Sequence, residues 1–403
     1  MSVAPSLSLA APDAPVVSRA ARRRTALVVA MVLSGGLLFF PRLPLLAVLL
    51  VLCFIDRGAA LTISRRMLPA WLWLAAVVML TLLRPGGVDF GSTAIRLANF
   101  AGGMALLRMY LEAPEGALAD DLSAILPWMS WQAILTVPFA FLFSALALPL
   151  AVGESVYHSF LLIFTWHDLE LGNSIFMRPD GLFWEPGVFQ FYLNLHLFTA
   201  LFWRRNWRQA GVATLAILAT QSTTGLLIAA VQLLAVVWPV LSRGDLLQRM
   251  FKFVGLLLIL LPFAVLTAAN VNEKFFGDSR GSSWARQYDL LTGLNIIRQY
   301  PLGGIGFDHK RYTALGGSLG FDDSGLSAET LDERTSSNGL VQVLFSVGIP
   351  LGLVFIIGLF RNPFLRPRWL VGVMLTLALT GEALAFTPFF AMLAFGGMIR
   401  RPL

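Results

Sequence analysis

Apolar runs of roughly 15 to 25 residues recur from one end of the chain to the other, each closed by arginine, glycine or proline. A run of that length crosses a hydrocarbon core of about 30 Å as a helix, the one open-chain conformation that pairs all its own backbone groups without water. The pattern predicts spans near 26–40, 43–56, 67–83, 94–110, 124–150, 187–203, 210–224, 226–242, 251–269, 339–360, 369–384 and 386–399. The expected fold is an all-α polytopic membrane protein of about twelve transmembrane helices. It forms a single transmembrane domain over 25–403, preceded by a tail over 1–24. The tail begins rich in Ala, Pro and Ser, a composition that cannot build a core. The first span follows Arg22, Arg23 and Arg24 and leads straight into others, so it reads as a start-transfer helix.

Two polar interruptions are too long to be connectors, 151–186 and 270–337. Within the second, Trp284 to Tyr300 has helical apolar spacing at Leu290, Leu291, Leu294, Ile296 and Ile297. This predicts a helix along the membrane surface, stopped by Pro301. Basic clusters at Arg57/Arg65/Arg66, Arg204/Arg205/Arg208, Arg243/Arg249/Lys252, Arg361/Arg366/Arg368 and Arg400/Arg401 all fall on the side of the N-terminus. The opposite turns carry little more than Arg42 and Arg84. By the positive-inside rule both long loops are expected on the periplasmic face of a bacterial inner membrane.

Composition agrees with that class. The chain is 57% hydrophobic and 13% charged, against roughly 25% charged in soluble domains. The net charge of +7 comes from arginines at helix ends rather than from a basic groove, so no nucleic-acid partner is expected. One cysteine, Cys53, excludes an intrachain disulfide, and four unclustered histidines give no metal-site spacing; no metal or other cofactor is expected.

Candidate chemistry concentrates in the two loops. Met177 to Gly187 places Arg178 and Glu185 where a helix re-enters the membrane. A guanidinium there suits a phosphate, and equally a lipid headgroup; Glu185 before Pro186 suits a helix start. The second loop offers Arg280, Arg286 and Arg334 among acidic residues, a mixture that also describes a solvated surface. Pro301 to Phe307 lacks the Lys-Ser/Thr ending of a phosphate loop, and its glycines predict a tight turn with close backbone approach. Gln221-Ser222-Thr223-Thr224-Gly225 serves helix packing or a substrate hydroxyl. Arg96, Asn99 and Glu382 lie inside predicted spans, where ionisable groups are functional by default, although Arg96 and Glu382 equally suit one structural pair. His196 reads as a packed histidine.

Three segments resemble the bacterial O-antigen polymerase and O-antigen ligase superfamily. They are Arg178 to Gly187 followed by the Thr-Gln-Ser-Thr-Thr-Gly hairpin; Ser282 to Arg286 with its helix running into Pro301-Leu302-Gly303-Gly304-Ile305-Gly306-Phe307; and Ser336-Ser337-Asn338-Gly339-Leu340 with Gly348-Ile349-Pro350-Leu351-Gly352. Ser337 stands where the family pattern has His. The resemblance implies a metal-independent glycosyltransferase that moves an oligosaccharide from undecaprenyl pyrophosphate to an acceptor hydroxyl at the periplasmic face. Arg178 and Arg286 match arginines that hold the pyrophosphate; Arg280, Arg334, Ser222 and Asn338 complete the expected substrate contacts. Glu185 is the first choice for the group that activates the acceptor and His309 the second. Trp184-Glu185-Pro186-Gly187 leans towards an exopolysaccharide polymerase, with a chain-length regulator as a possible partner. A ligase transferring glycan to the lipid A core is the alternative within the family. A transporter or flippase of lipid-linked sugars is the alternative outside it, disfavoured because polar residues gather on one side rather than across the midplane.

Overall fold

The computed structural model describes residues 19–40, 42–55, 64–84, 87–152, 155–171, 174–183, 185–241, 243–276, 280–317 and 336–399. The chain is mostly helical. Helices α1 (Arg19–Leu33), α2 (Arg42–Ile55), α3 (Leu68–Leu82), α4 (Phe90–Glu112) and α5 (Ala117–Phe143) precede a small sheet. After it come α6 (Pro186–Phe198), α7 (Trp207–Thr220), α8 (Thr223–Leu241), α9 (Leu246–Phe276), α10 (Arg280–Gln299), α11 (His309–Gly317), α12 (Gly339–Phe360), α13 (Arg368–Gly381) and α14 (Pro388–Met398). Among the described residues four helical stretches are long and apolar enough to cross a membrane: Arg65–Leu82, Ala117–Leu146, Leu246–Ala269 and Gly339–Phe360. Arg42–Ile55, Thr223–Pro239, Arg368–Gly381 and Pro388–Met398 are shorter apolar helices. This is the architecture of a polytopic membrane protein.

The first helix starts at Arg19 and includes Arg22 to Arg24. Arg24 is held by Asp121 of α5 at 3.0 Å, and the same carboxylate accepts the Tyr110 hydroxyl at 2.9 Å. One expectation is corrected, the all-α reading. The 151–186 loop, together with the end of the predicted 124–150 span, contains a four-stranded antiparallel meander. Its strands are β1 (Leu148–Val152), β2 (Ser155–Phe160), β3 (Phe164–Leu171) and β4 (Ser174–Pro179). Alternating aromatic and polar residues along 155–171 fit a pleated surface with two unlike faces. Helix α10 forms over the stretch where the apolar spacing predicted a helix. Leu290, Leu291 and Leu294 are exposed, while Tyr288, Asp289, Thr292 and Ile296 face inward.

Helix α14 runs through the centre, buried along most of its length and packed on α4 and α12. Small residues permit that approach: Gly103 meets Ala391, and Gly358 meets the backbone of Ala394. Trp73, Phe100, Phe355 and Phe395 pack edge-on or tilted beside them at centroid distances of 5.3–6.4 Å.

Helix α12 is broken. Gly348 has φ 81° and ψ 162°, and Pro350 has no N–H to give the carbonyl four residues earlier, that of Ser346. Orphan carbonyls inside a bundle need partners, and the Pro301–Phe307 loop provides them. Ile305 N–H donates to the Phe345 carbonyl at 2.7 Å and Gly306 N–H to that of Ser346 at 2.9 Å. The exchange is reciprocal, because Ile349 N–H donates to the Pro301 carbonyl at 2.7 Å. Arg84 closes the outside, its Nη2 donating to the Gly303 carbonyl at 2.6 Å. Gly304, at φ 61°, lies so close to the Phe345 and Ser346 carbonyls that a Cβ has no room. Gly303 next to it faces open space.

That contrast makes a test. Gly304→Ala combines a left-handed backbone with overlap on two carbonyls, a destabilisation on the order of 2–4 kcal/mol. Melting curves of the detergent-solubilised protein should show a clear loss for Gly304→Ala and almost none for Gly303→Ala. Equal melting of the two variants would remove the clasp from the account of the fold.

Candidate functional site

The chain beyond α1 reaches the end of the bundle opposite the Arg24–Asp121 pair, where Leu38 N–H donates to the Leu182 carbonyl at 3.0 Å. At that end four segments meet: the β4–α6 loop, the α7–α8 turn, the first half of α10, and the α13–α14 connection. Glu382, one residue past α13, is 3% exposed. Its carboxyl lies against that of Glu185, in hydrogen-bonding proximity, and faces Arg286 and Arg178. Two carboxyl groups in such contact need a proton between them. The carboxyl also rests on Gly187, where any Cβ would collide with it, so glycine in the first turn of α6 is what admits Glu382. Its Oε2 has no hydrogen-bond partner among the described residues.

Arg178 closes β4, and its Nε donates to the Thr220 carbonyl at the end of α7, at 2.8 Å. Burial lowers its pKa from the usual guanidinium value, and Asp180, Glu382 and Glu185 oppose that shift while Arg286 adds to it. Arg286, on α10, lies beside Gly381 and Thr224. Gln221, at φ 48°, turns the chain between α7 and α8, and Ser222 opens α8, its Oγ accepting the Gly225 N–H at 3.4 Å. The N-termini of α6 and α8 therefore border the same space as the two arginines. Their helix dipoles favour an anion there.

The sheet adds groups that the sequence reading left out. Tyr157 pairs with His167 across β2–β3, and His167 pairs with Arg178 across β3–β4. Directly opposed residues share a face, so Tyr157, His167 and Arg178 form one polar row. Asp180 is completely buried, and both its carboxylate oxygens lie 2.9 Å from His167 Nδ1. Burial pushes the Asp180 carboxyl up, and His167 and Arg178 pull it back. Burial also raises the Tyr157 hydroxyl, helped by Asp180 and Glu185 and opposed by Arg178.

The remaining predicted residues fall elsewhere or act differently. Asn338 caps α12, its Oδ1 accepting the Val341 N–H at 3.1 Å, and the following Gly339 touches the Glu382 carbonyl. Ser337 Oγ donates to Asp289 at 2.6 Å, and the same carboxylate accepts the Tyr312 hydroxyl at 2.9 Å, which ties the start of α12 to α10 and α11. His309 lies in a small cavity with Arg96, Ser336 and Gln342, and among the described residues neither ring nitrogen has a hydrogen-bond partner. Arg96 stacks over Phe386 at 5.6 Å, so it does not form the structural pair with Glu382 that the sequence allowed. His196 is a packed histidine, 2.7 Å from Ser130. The side chain of Arg280, and the whole of Trp184 and Arg334, lie outside the described residues. Among the described residues no group of three His, Cys, Asp or Glu is placed to hold a metal ion.

Glu382 was legible in the sequence only as an ionisable residue inside an apolar stretch. Its partners were not, because they come from segments about 100 and 200 residues away. No curated protein and no solved structure matches the chain. Residues 210–356, from α7 into α12, match the family model described as O-antigen ligase. The matched stretch holds the Gln221–Gly225 turn, Arg286, the Pro301–Phe307 loop and the break in α12 that the loop repairs. Over that stretch the chain is similar to the O-antigen ligase family, in agreement with the resemblance to the O-antigen ligase and polymerase superfamily seen in the sequence.

Proposed function

We propose that the protein is a membrane-embedded polysaccharide polymerase. It transfers undecaprenyl-pyrophosphate-linked glycan repeats onto an acceptor glycan at the periplasmic face of the inner membrane, without a metal. The observation that carries this reading is the convergence of Arg178, Arg286 and two helix N-termini on the Glu185–Glu382 carboxyl pair. Breaking the bond between the sugar C1 and the pyrophosphate oxygen leaves an electron pair, and hence negative charge, on that oxygen. Fixed guanidinium groups in a low-dielectric site stabilise that charge as it develops. Arginine is the suitable cation because its planar fork binds phosphate oxygens in pairs and keeps its proton.

Glu185 faces the same space and serves to orient the acceptor sugar by accepting a hydroxyl hydrogen bond. Glu382 shares a proton with Glu185 and keeps the empty site close to charge balance. Arg178 and Arg286 each exchange a carboxyl partner for a phosphate when donor binds. The polyprenyl tail lies in the lipid, the growing glycan leaves on the periplasmic side, and a chain-length regulator is the expected partner protein. A ligase that passes glycan to the lipid A core is the second reading, favoured by the description of the matched family model. Both use the same donor chemistry.

Deleting the gene and sizing the lipid-linked oligosaccharides by mass spectrometry distinguishes them. The polymerase reading expects single repeats on the carrier or passed to a downstream acceptor; long chains stranded on undecaprenyl pyrophosphate would overturn it in favour of the ligase. Restoring the gene as Arg286→Ala should leave polymer synthesis reduced about 10²–10³-fold at normal protein level, with little recovery in Arg286→Lys. Wild-type polymer from Arg286→Ala would exclude that arginine from donor binding.

The carboxyl pair makes a further prediction. Glutamine reproduces the shape and hydrogen-bonding capacity of a protonated carboxyl, so Glu382→Gln should retain most activity, whereas Glu382→Ala should lose it and also melt lower. Activity lost equally in both variants, at unchanged melting temperature, would show that Glu382 acts as a free carboxylate.

A further inference from the structure

The polar row on the sheet includes a pair that the donor site does not use. His167 is held through Nδ1 by both oxygens of Asp180 at 2.9 Å. Asp180 has no exposed side-chain surface, while His167 keeps 19%. Three strands fix the imidazole: it stands between Tyr157 and Arg178 in register, with the Tyr157 ring edge-on at 5.7 Å. A buried carboxylate that takes one imidazole nitrogen leaves the other as the site for an incoming proton, and it stabilises the imidazolium that results. The neighbour across β4 is the arginine assigned above to the pyrophosphate.

Resting on that assignment, we propose that His167, oriented by Asp180, is the catalytic base for the acceptor hydroxyl. The acceptor oxygen attacks C1 of the donor sugar as the C1–O bond to the pyrophosphate breaks. The bonding pair leaves on the phosphate oxygen beside Arg178, and the hydroxyl proton passes to His167 Nε2. Asp180 holds the imidazolium until it releases that proton to water. Leaving group and proton thus end on adjacent residues of paired strands, and one rigid sheet sets the distance between them. Tyr157, third in the row, packs its ring edge-on against the imidazole and helps to fix it. Glu185 keeps its task of orienting the acceptor by another hydroxyl.

The test uses the full-length protein in liposomes, with lipid-linked oligosaccharide extracted from the deletion strain as donor and acceptor. His167→Ala should lower turnover about 10²-fold or more, bind undecaprenyl pyrophosphate as the wild type does, and recover activity when free imidazole is added. Asp180→Asn should also lower turnover without weakening donor binding. His158→Gln removes a histidine from the other face of the neighbouring strand β2 and should turn over normally. Full activity in His167→Ala, or a defect that imidazole leaves unchanged in a variant with wild-type melting and donor binding, would overturn the assignment. If His167→Ala is inactive because it melts early, His167→Gln replaces it, and wild-type turnover in that variant is equally fatal. Arg286→Ala is measured in parallel: wild-type donor binding there overturns the donor-site reading itself, whatever His167 does.

Discussion

Two guanidinium groups and two carboxyl groups, drawn from segments about 200 residues apart, meet at one end of the bundle where water is largely excluded. Each charge alone would be costly to hold there. Together they compensate one another, and removing a single partner would strand the rest. That constraint fixes much of the surrounding geometry. Gly187 exists to admit the Glu382 carboxyl, the α7–α8 turn offers a backbone carbonyl to Arg178, and α13 ends where its next residue enters the cluster. A site built in this way is preorganised for an anion, because Arg178 is already held in place by the Thr220 carbonyl.

The clasp between the Pro301–Phe307 loop and the break in α12 does the same work on the other side. A helix interrupted by Gly348 and Pro350 exposes carbonyls that a membrane would not tolerate, and the loop pairs them. The two motifs are thus halves of one hydrogen-bonded unit, although Phe307 and Gly348 lie 41 positions apart. Asp289 extends the linkage, joining α10 to Ser337 and Tyr312. Through α10 that unit holds Arg286 against the carboxyl pair.

The helical segments were legible because apolar runs closed by arginines are dictated by the bilayer. Arg178, Arg286 and Glu185 were legible because a cation and a carboxylate at a helix entrance carry their chemistry with them. The sheet was not. Its β2–β3 turn uses Leu161 and Leu162, both at φ 57°, where glycine or asparagine would mark a hairpin, so the apolar run masks the reversal. Losing the sheet meant losing register, and only register shows that Tyr157, His167 and Arg178 share a face. Asn338 was read as a substrate contact, yet its side chain caps α12; an Asx residue before an apolar run carries both signals. Glu382 needed long-range contacts that no local pattern supplies.

The central claim is that Arg178 and Arg286 form a pyrophosphate site, and native mass spectrometry of the purified protein with polyprenyl pyrophosphate tests it directly. The wild type should retain the pyrophosphate lipid in preference to the unphosphorylated polyprenol, and Arg178→Ala/Arg286→Ala should lose that preference while staying folded. Equal retention of polyprenyl pyrophosphate by the folded double variant and the wild type would contradict the account.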